Sequence, residues 1–235
     1  RHDTQEALNR LFGAAAPDVY SVLIGLIPQL LQRLEQTTTM AKQHGLTPEI
    51  ELSQGLLVGA LNHICRKVKR QATPHLEAIA NGLVAMFSCS RDGSVLVEAI
   101  MCIGALALAT REAFVAYLEG FHPYVQAALT SVDDYDLCAS AIATVGDLAS
   151  ALEAQVAPML PETLNNYAEF LRSDGDRDLK GPMLSCLGDV ALNVGGEVFQ
   201  PYADTFVQIV QGMDTEARSL IAGFHTQEDE DFVAE

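Results

Sequence analysis

Asp134–Leu152 reads DYDLCASAIATVGDLASAL, and its apolar residues recur at the spacing of one helix face. One stripe is formed by the residues at i, i+4, i+8, i+11 and i+15, which are Leu137, Ala141, Val145, Leu148 and Leu152. Further small or apolar residues widen this stripe: Ala139, Ile142, Gly146 and Ala149. The breadth of the apolar surface predicts a helix that is packed on more than one side.

The centre of this helix recurs along the chain as a glycine at a regular interval. The four copies are Gly59-Ala-Leu, Gly104-Ala-Leu, Gly146-Asp-Leu and Gly188-Asp-Val, and successive glycines are separated by 45, 42 and 42 residues. A period in the low forties that is carried by helices is the length of one HEAT-type helical hairpin. The spacing therefore predicts that these four helices are equivalent members of a repeat.

Prolines between these segments indicate a second series of helices, led by Pro17, Pro74, Pro123, Pro158 and Pro201. Proline is tolerated at the first helical position because its missing N–H would have no partner there. We therefore predict an all-α fold, a right-handed α-solenoid of HEAT repeats in which antiparallel helix pairs stack. Such a fold offers an extended binding surface rather than an enclosed cleft, so an enzyme is not expected.

The repeat predicts a single solenoid over residues 1–235, with four full helix pairs and half a repeat at each end. The first half repeat is a short helix predicted at Asp3–Gly13, and the last begins near Glu228, after a proline-led helix at Pro201–Met213. Both ends are expected to expose apolar surface. This favours a piece of a longer solenoid.

The composition restricts the class of partner. The formal charge of −17 argues against a nucleic-acid surface, because phosphates require the opposite sign, and it predicts a basic partner. The longest apolar runs are interrupted by glycine, cysteine or charge before the ~18 residues that a bilayer span needs. We therefore expect neither membrane insertion nor a signal peptide.

The five cysteines are scattered and form no CxxC pair: Cys65, Cys89, Cys102, Cys138 and Cys186. They are interpreted as reduced thiols of a cytosolic or nuclear protein, because a buried free cysteine behaves as a small apolar residue.

One loop resembles a metal site. Residues 174–178 have the D-x-D-x-D opening of a calcium loop, but Leu179 occupies the sixth position, where glycine is required. Ser185 occupies the twelfth, where glutamate should bind the ion. The loop is interpreted as a helix cap, and since the histidines and cysteines lack zinc-ligand spacing, no metal or cofactor is predicted.

Polar residues on the glycine-centred helices form the candidate partner site. Ser140, Thr144 and Asp147 follow i, i+4, i+7 spacing away from the apolar stripe. A shift of one 42-residue repeat relates Asp147 to Asp189 and Ser140 to Glu98. We hypothesise that this acidic row lines the inner wall of the superhelix and contacts a basic ligand, although a solvated helix face has the same pattern. The one basic cluster, at residues 66–70, fits a stabilised helix C-terminus or a partner contact.

Several segments resemble HEAT repeats of the importin-β (karyopherin-β) family, in its central to C-terminal part. They are GALNHICRKV from Gly59, ATVGDLASAL from Ala143 and LSCLGDVALNVGGEV from Leu184, and FHPYV from Phe121 continues the likeness. The resemblance covers roughly residues 17–213. It implies a nuclear import receptor found in the cytoplasm, the nucleus and the nuclear pore complex.

Receptors of this family bind basic cargo, or the basic segment of importin-α, on an acidic concave surface. They also bind the FG repeats of nucleoporins and release cargo to the GTPase Ran in its GTP form. The family also grips its adaptor with tryptophans, and this chain has none. The resemblance therefore implies cargo-side binding only for Glu98, Ser140, Thr144, Asp147 and Asp189. The alternative is a HEAT-repeat scaffold subunit of a multiprotein complex outside nuclear transport.

Overall fold

The structure is a computed structural model that describes Phe12 and residues 14–233, with side chains described as far as residue 219. Within this range the chain forms nine α-helices and no β-strand. They are α1 (Tyr20–His44), α2 (Pro48–Val68), α3 (Leu76–Phe87), α4 (Gly93–Thr110), α5 (Val115–Leu129), α6 (Tyr135–Leu152), α7 (Leu160–Arg172), α8 (Arg177–Val194) and α9 (Gly196–Val233). The odd-numbered helices are called A helices and the even-numbered ones B helices.

The B helices stack as consecutive neighbours. Helix α2 packs on α4, α4 on α6 and α6 on α8, and each B helix also contacts an A helix. The glycines at 59, 104, 146 and 188 lie on these four helices, so the prediction that they share one stack is confirmed. The fold is the predicted α-solenoid of HEAT repeats.

Every B helix begins at a side-chain cap. Thr47 accepts a hydrogen bond from the backbone N–H of Ile50, and Asp134 accepts one from Leu137. Asp92 and Asp176 cap α4 and α8 in the same way. These caps satisfy N–H groups that have no partner within the helix, and they fix where each B helix starts.

The A helices begin differently, and the proline prediction is wrong in part. Pro74 and Pro158 lie in 3₁₀ turns, Lys69–His75 and Glu153–Met159, two residues before the α-helix starts. Pro123 and Pro201 lie inside α5 and α9. The helix predicted to begin at Pro123 therefore begins eight residues earlier, at Val115.

Each B helix ends at a residue with positive φ. Lys69, Arg111, Glu153 and Gly195 have φ values of 51°, 50°, 53° and 85° and recur every 42 residues. At the first three, the backbone N–H bonds to the carbonyl four residues earlier and closes the last helical turn. Of these four residues only the glycine favours this conformation, and the other three positions carry residues that seldom adopt it.

The C-terminal part of the structure also differs from the prediction. A helix over Pro201–Met213, followed by a new helix near Glu228, was expected. Instead, α9 is continuous over Gly196–Val233. The predicted helix at Asp3–Gly13 lies outside the described residues.

The core lies between the two layers of helices. Its largest fully buried side chains include Tyr167, Phe114 and Ile64. By length and composition, the stretches Gly93–Leu129 and Tyr135–Arg172 are apolar enough to cross a bilayer, contrary to the sequence expectation. Most of the apolar window in each stretch is buried within the protein, as is typical of core helices in stacked repeats.

Candidate partner-binding groove

A groove of about 540 Å³ lies between the B helices α6 and α8. Small side chains form much of its lining, which leaves room between the two helices. The groove is lined by Ala139, Ile142, Ala143, Gly146, Asp147, Ser150, Pro182, Ser185, Cys186, Asp189 and Asn193. Two predicted partner-binding acids, Asp147 and Asp189, therefore lie on opposite walls of one groove.

The two acids have different surroundings. The Asp147 side chain is 22% exposed, and its Oδ2 accepts a hydrogen bond from Nη2 of Arg66 at 2.7 Å. Asp189 is exposed, and its backbone carbonyl accepts a bond from the side chain of Asn193. The groove thus presents one carboxylate held in an ion pair and one directed to solvent.

The third predicted acid, Glu98, lies one helix away on α4. It is partly buried, and its carboxylate oxygen would lie 3.0 Å from a Cβ added at Gly59 of α2. The Glu98 carboxylate therefore packs against the preceding B helix rather than lining the groove. The acidic row continues along the stack, but only its last two members share a cavity.

The structure removes Ser140 and Thr144 from the predicted partner-binding site, because both residues are buried. The Ser140 hydroxyl donates to the carbonyl of Leu137 on its own helix. The Thr144 hydroxyl donates to the carbonyl of Ile100 on α4 at 3.0 Å. Neither hydroxyl is available to a partner, since both are used within the solenoid.

The bond made by Thr144 belongs to a repeated contact between B helices. One repeat later, Cys186 donates from its thiol to the carbonyl of Ile142 at 3.2 Å, so donor and acceptor are both displaced by 42 residues from Thr144 and Ile100. Small donors at this position therefore link α6 to α4 and α8 to α6.

Arg66 is a site residue that the partner-site prediction did not include. It lies on α2, and it reaches Asp147 of α6 across the intervening helix α4. Its Nε also donates to Oδ1 of Asn62 at 3.2 Å, which orients the guanidinium. The structure therefore gives part of the basic cluster an internal role; Arg70 lies 3.7 Å from Glu112 in a more exposed pair.

Gly104 of α4 leaves room for the Asp147 carboxylate that Arg66 binds. A Cβ at Gly104 would lie 2.6 Å from Oδ2 and 3.0 Å from Cβ of Asp147. Any larger residue at position 104 would therefore displace the Asp147 carboxylate that Arg66 binds. Packing explains two of the repeat glycines, since Gly59 receives Glu98 and Gly104 receives Asp147. A Cβ at Gly146 would lie at an ordinary 3.6 Å from Sγ of Cys186, and one at Gly188 would meet nothing within 4 Å.

Burial controls the ionisation of the groups near the stack. It raises the pKa of Cys186 to about 11, with a further contribution from the charges of Asp189 and Asp147. It also raises the pKa of Cys65 to about 12. The pKa of His63 is lowered, first by burial and then by the charge of Arg66. The thiols of Cys186 and Cys65 are therefore neutral at physiological pH.

No metal site emerges within the part of the chain that the structure describes, where no three His, Cys, Asp or Glu side chains are gathered closely enough to hold an ion. The loop at residues 174–178 serves as a cap, since Asp176 accepts a hydrogen bond from the backbone N–H of Asp178 at 2.9 Å.

Comparison with known proteins places this chain in a family. Residues 1–226 match the sequence model described as "Importin subunit beta-1-like, TPR repeats". Importin subunit beta-1 of Arabidopsis thaliana is 29% identical over 204 residues, which cover 84% of this chain and 23% of that protein. The chain therefore spans about a quarter of the length of this curated relative.

Solved structures show the same architecture. A crystal structure of importin beta, in an ammonium sulfate condition, superposes with a TM-score of 0.80 at 29% identity, covering 88% of this chain and 24% of that one. Two Kap95 structures, at TM-scores of 0.72 and 0.74 and 24% identity, each cover 87% of this chain and 24% of theirs and share the fold. In these structures Kap95 is studied with RanGDP and with Nup1, respectively.

Proposed function

Since the chain belongs to the importin subunit beta-1 family, we propose that its B helices form part of the cargo-binding wall of a nuclear import receptor. The groove between α6 and α8 would hold a basic segment of a cargo protein, or of an importin-α adaptor. Asp147 and Asp189 would bind its arginine or lysine side chains. The observation that carries the proposal is that two acids line one groove, Asp147 from α6 and Asp189 from α8.

The chemistry of the groove supports a basic, extended ligand. Its small lining residues leave room for long side chains between the helices, and its two acids offer acceptors for charge-assisted hydrogen bonds. The formal charge of −17 adds a long-range attraction that raises the rate of encounter with a cationic segment. Binding should weaken as salt rises, because exposed charges are screened over about 8–10 Å at physiological ionic strength.

We assign the wider partners to the full-length protein. The Kap95 structures with RanGDP and Nup1 are the basis for proposing Ran and FG nucleoporins as partners, and this chain covers about a quarter of those chains. Movement between cytoplasm and nucleus through the nuclear pore complex is proposed on the same basis. Family membership favours this function over that of a HEAT scaffold outside transport.

Charge reversal at Asp189 tests the proposal. Fluorescence anisotropy of a labelled oligoarginine peptide would be measured with the 235-residue chain and with Asp189→Lys. We expect affinity to fall about fivefold to tenfold, since reversing one solvent-screened charge changes the interaction by about 1 kcal/mol. Asp189 suits this test because its side chain is exposed, so the solenoid should fold unchanged.

The matched control is Glu119→Lys, which makes the same change of charge at an exposed position on the A helix α5. It should reduce the affinity less than twofold, since it alters only the general field of the protein. Equal affinities for the two variants would overturn the proposal, because the acids of the groove would then have no specific role.

A further inference from the structure

The carboxylate proposed to bind a cationic partner is already bound to a cation of the same chain. Nη2 of Arg66 lies 2.7 Å from Oδ2 of Asp147, and the contact joins residues 81 positions apart. Asp189, on the opposite wall of the groove, is exposed. A partner that enters the groove therefore meets an accessible acid and an occupied one.

The contact is held in place from both sides. Asn62, itself buried, accepts a bond from Nε of Arg66 and directs the guanidinium over α4. Gly104 provides the gap in α4 into which the Asp147 carboxylate fits. The neighbouring Arg111 donates to the backbone carbonyl of Ser150 at 3.2 Å and so does not take the place of Arg66 at the carboxylate.

The ion pair is nevertheless open to exchange. The Arg66 and Asp147 side chains are 37% and 22% exposed, so water and a ligand can reach both. Partly exposed pairs are weak because solvent screens them. A guanidinium supplied by a partner could make the same bond to Asp147 while Arg66 turns out into solvent, where its charge is readily hydrated.

We propose that Arg66 is an internal competitor that occupies Asp147 and must be displaced by a cationic partner. This inference rests on the proposed function, because it concerns regulation of the same groove. It makes the groove selective: a segment with one cation binds at Asp189 alone, whereas a segment with two suitably spaced cations can also compete for Asp147. Arg66 thereby lowers the affinity for weakly basic segments.

The test removes the competitor. With the labelled oligoarginine peptide, Arg66→Gln should bind about threefold to fivefold more tightly than the unmodified chain, the effect of losing one partly exposed ion pair. Asp147→Asn should then weaken binding more in the Arg66→Gln background than alone, since Asp147 becomes fully available only when Arg66 is absent.

Arg70→Gln is the matched control. It removes the same charge near the end of the same helix, from a pair with Glu112 that is more exposed. It should change the affinity less than twofold. The conservative variant Arg66→Lys retains the charge but loses the planar fork, so it should tighten binding less than Arg66→Gln.

The outcomes separate the two claims. If Arg66→Gln binds no more tightly than Arg70→Gln, or no more tightly than Arg66→Lys, while Asp189→Lys still weakens binding, the competition is refuted and the groove function stands. If Asp189→Lys has no effect, the groove function itself fails. Circular dichroism of each variant checks that the helices are intact.

Discussion

Replacing Gly104 with alanine tests whether the packing of α6 against α4 requires a glycine at this position. In an exposed helix, the change would stabilise the protein by about 0.5–1 kcal/mol, because glycine loses more backbone entropy than alanine. At Gly104, however, the new Cβ would lie 2.6 Å from Oδ2 and 3.0 Å from Cβ of Asp147. The second atom is fixed to the backbone of α6, so rotating the side chain cannot relieve the collision.

The expected net effect is destabilisation by about 1–3 kcal/mol. Overpacking of this kind costs about 1–3 kcal/mol, and loss of the contact with Arg66 adds up to about 1 kcal/mol. Together these effects exceed the gain in helix propensity. The midpoint of thermal unfolding should fall by about 2–4 °C for each kcal/mol in a chain of this size.

Urea unfolding followed by circular dichroism measures the effect, and the repeat itself supplies the control. Gly188 is the equivalent residue of α8, and nothing lies within 4 Å of a Cβ added there. Gly188→Ala should therefore raise the unfolding midpoint. Gly59→Ala should lie between the two, because it meets the flexible end of Glu98. A Gly104→Ala variant as stable as Gly188→Ala would refute the packing argument.

Three further predictions concern the stack and the repeat junctions. Thr144→Val should destabilise the chain by about 1 kcal/mol through loss of the hydrogen bond to Ile100; an unchanged urea midpoint would contradict this. Glu153→Gly should stabilise it by about 1 kcal/mol, because Glu153 is exposed with a φ of 53°, whereas Glu169→Gly inside α7 should destabilise it. The pKa of His63 is lower in the folded protein than its unfolded-state value of 6.5. The contribution of His63 to stability is therefore present above pH 6.5 and is lost as the pH falls through the folded-state pKa. His63→Gln should reduce the loss of stability between pH 7 and acidic pH, and a pH dependence identical to that of the unmodified chain would contradict this prediction.

Most of the architecture could be predicted because it depends on local pattern and on a period. The glycine spacing identified the B helices, and caps such as Thr47 and Asp134 marked their starts. The prolines were less informative, since a proline fits a 3₁₀ turn or the early part of a helix as well as its first residue. The strained helix ends at Lys69, Arg111 and Glu153 carry no glycine to reveal them.

The candidate site could be predicted only in part. Helical spacing places Thr144 and Asp147 on the same side of α6, but it does not show that α4 covers one of them and leaves the other at the groove. The Arg66 contact joins residues 81 positions apart, so no local pattern contains it. A usable signal is the register between Gly104 and Asp147, because a glycine opposite an acid in the next repeat indicates where a carboxylate is accommodated.

Photocrosslinking tests the central claim most directly, namely that a basic segment lies in the groove between α6 and α8. Benzoylphenylalanine would be introduced at Ser185, an exposed residue of the groove lining, and separately at Val84, an exposed residue of the A helix α3. The account predicts that irradiation with oligoarginine crosslinks the peptide at Ser185 and not at Val84, and that added salt suppresses the product. Equal crosslinking at the two positions, or crosslinking at Val84 alone, would contradict it.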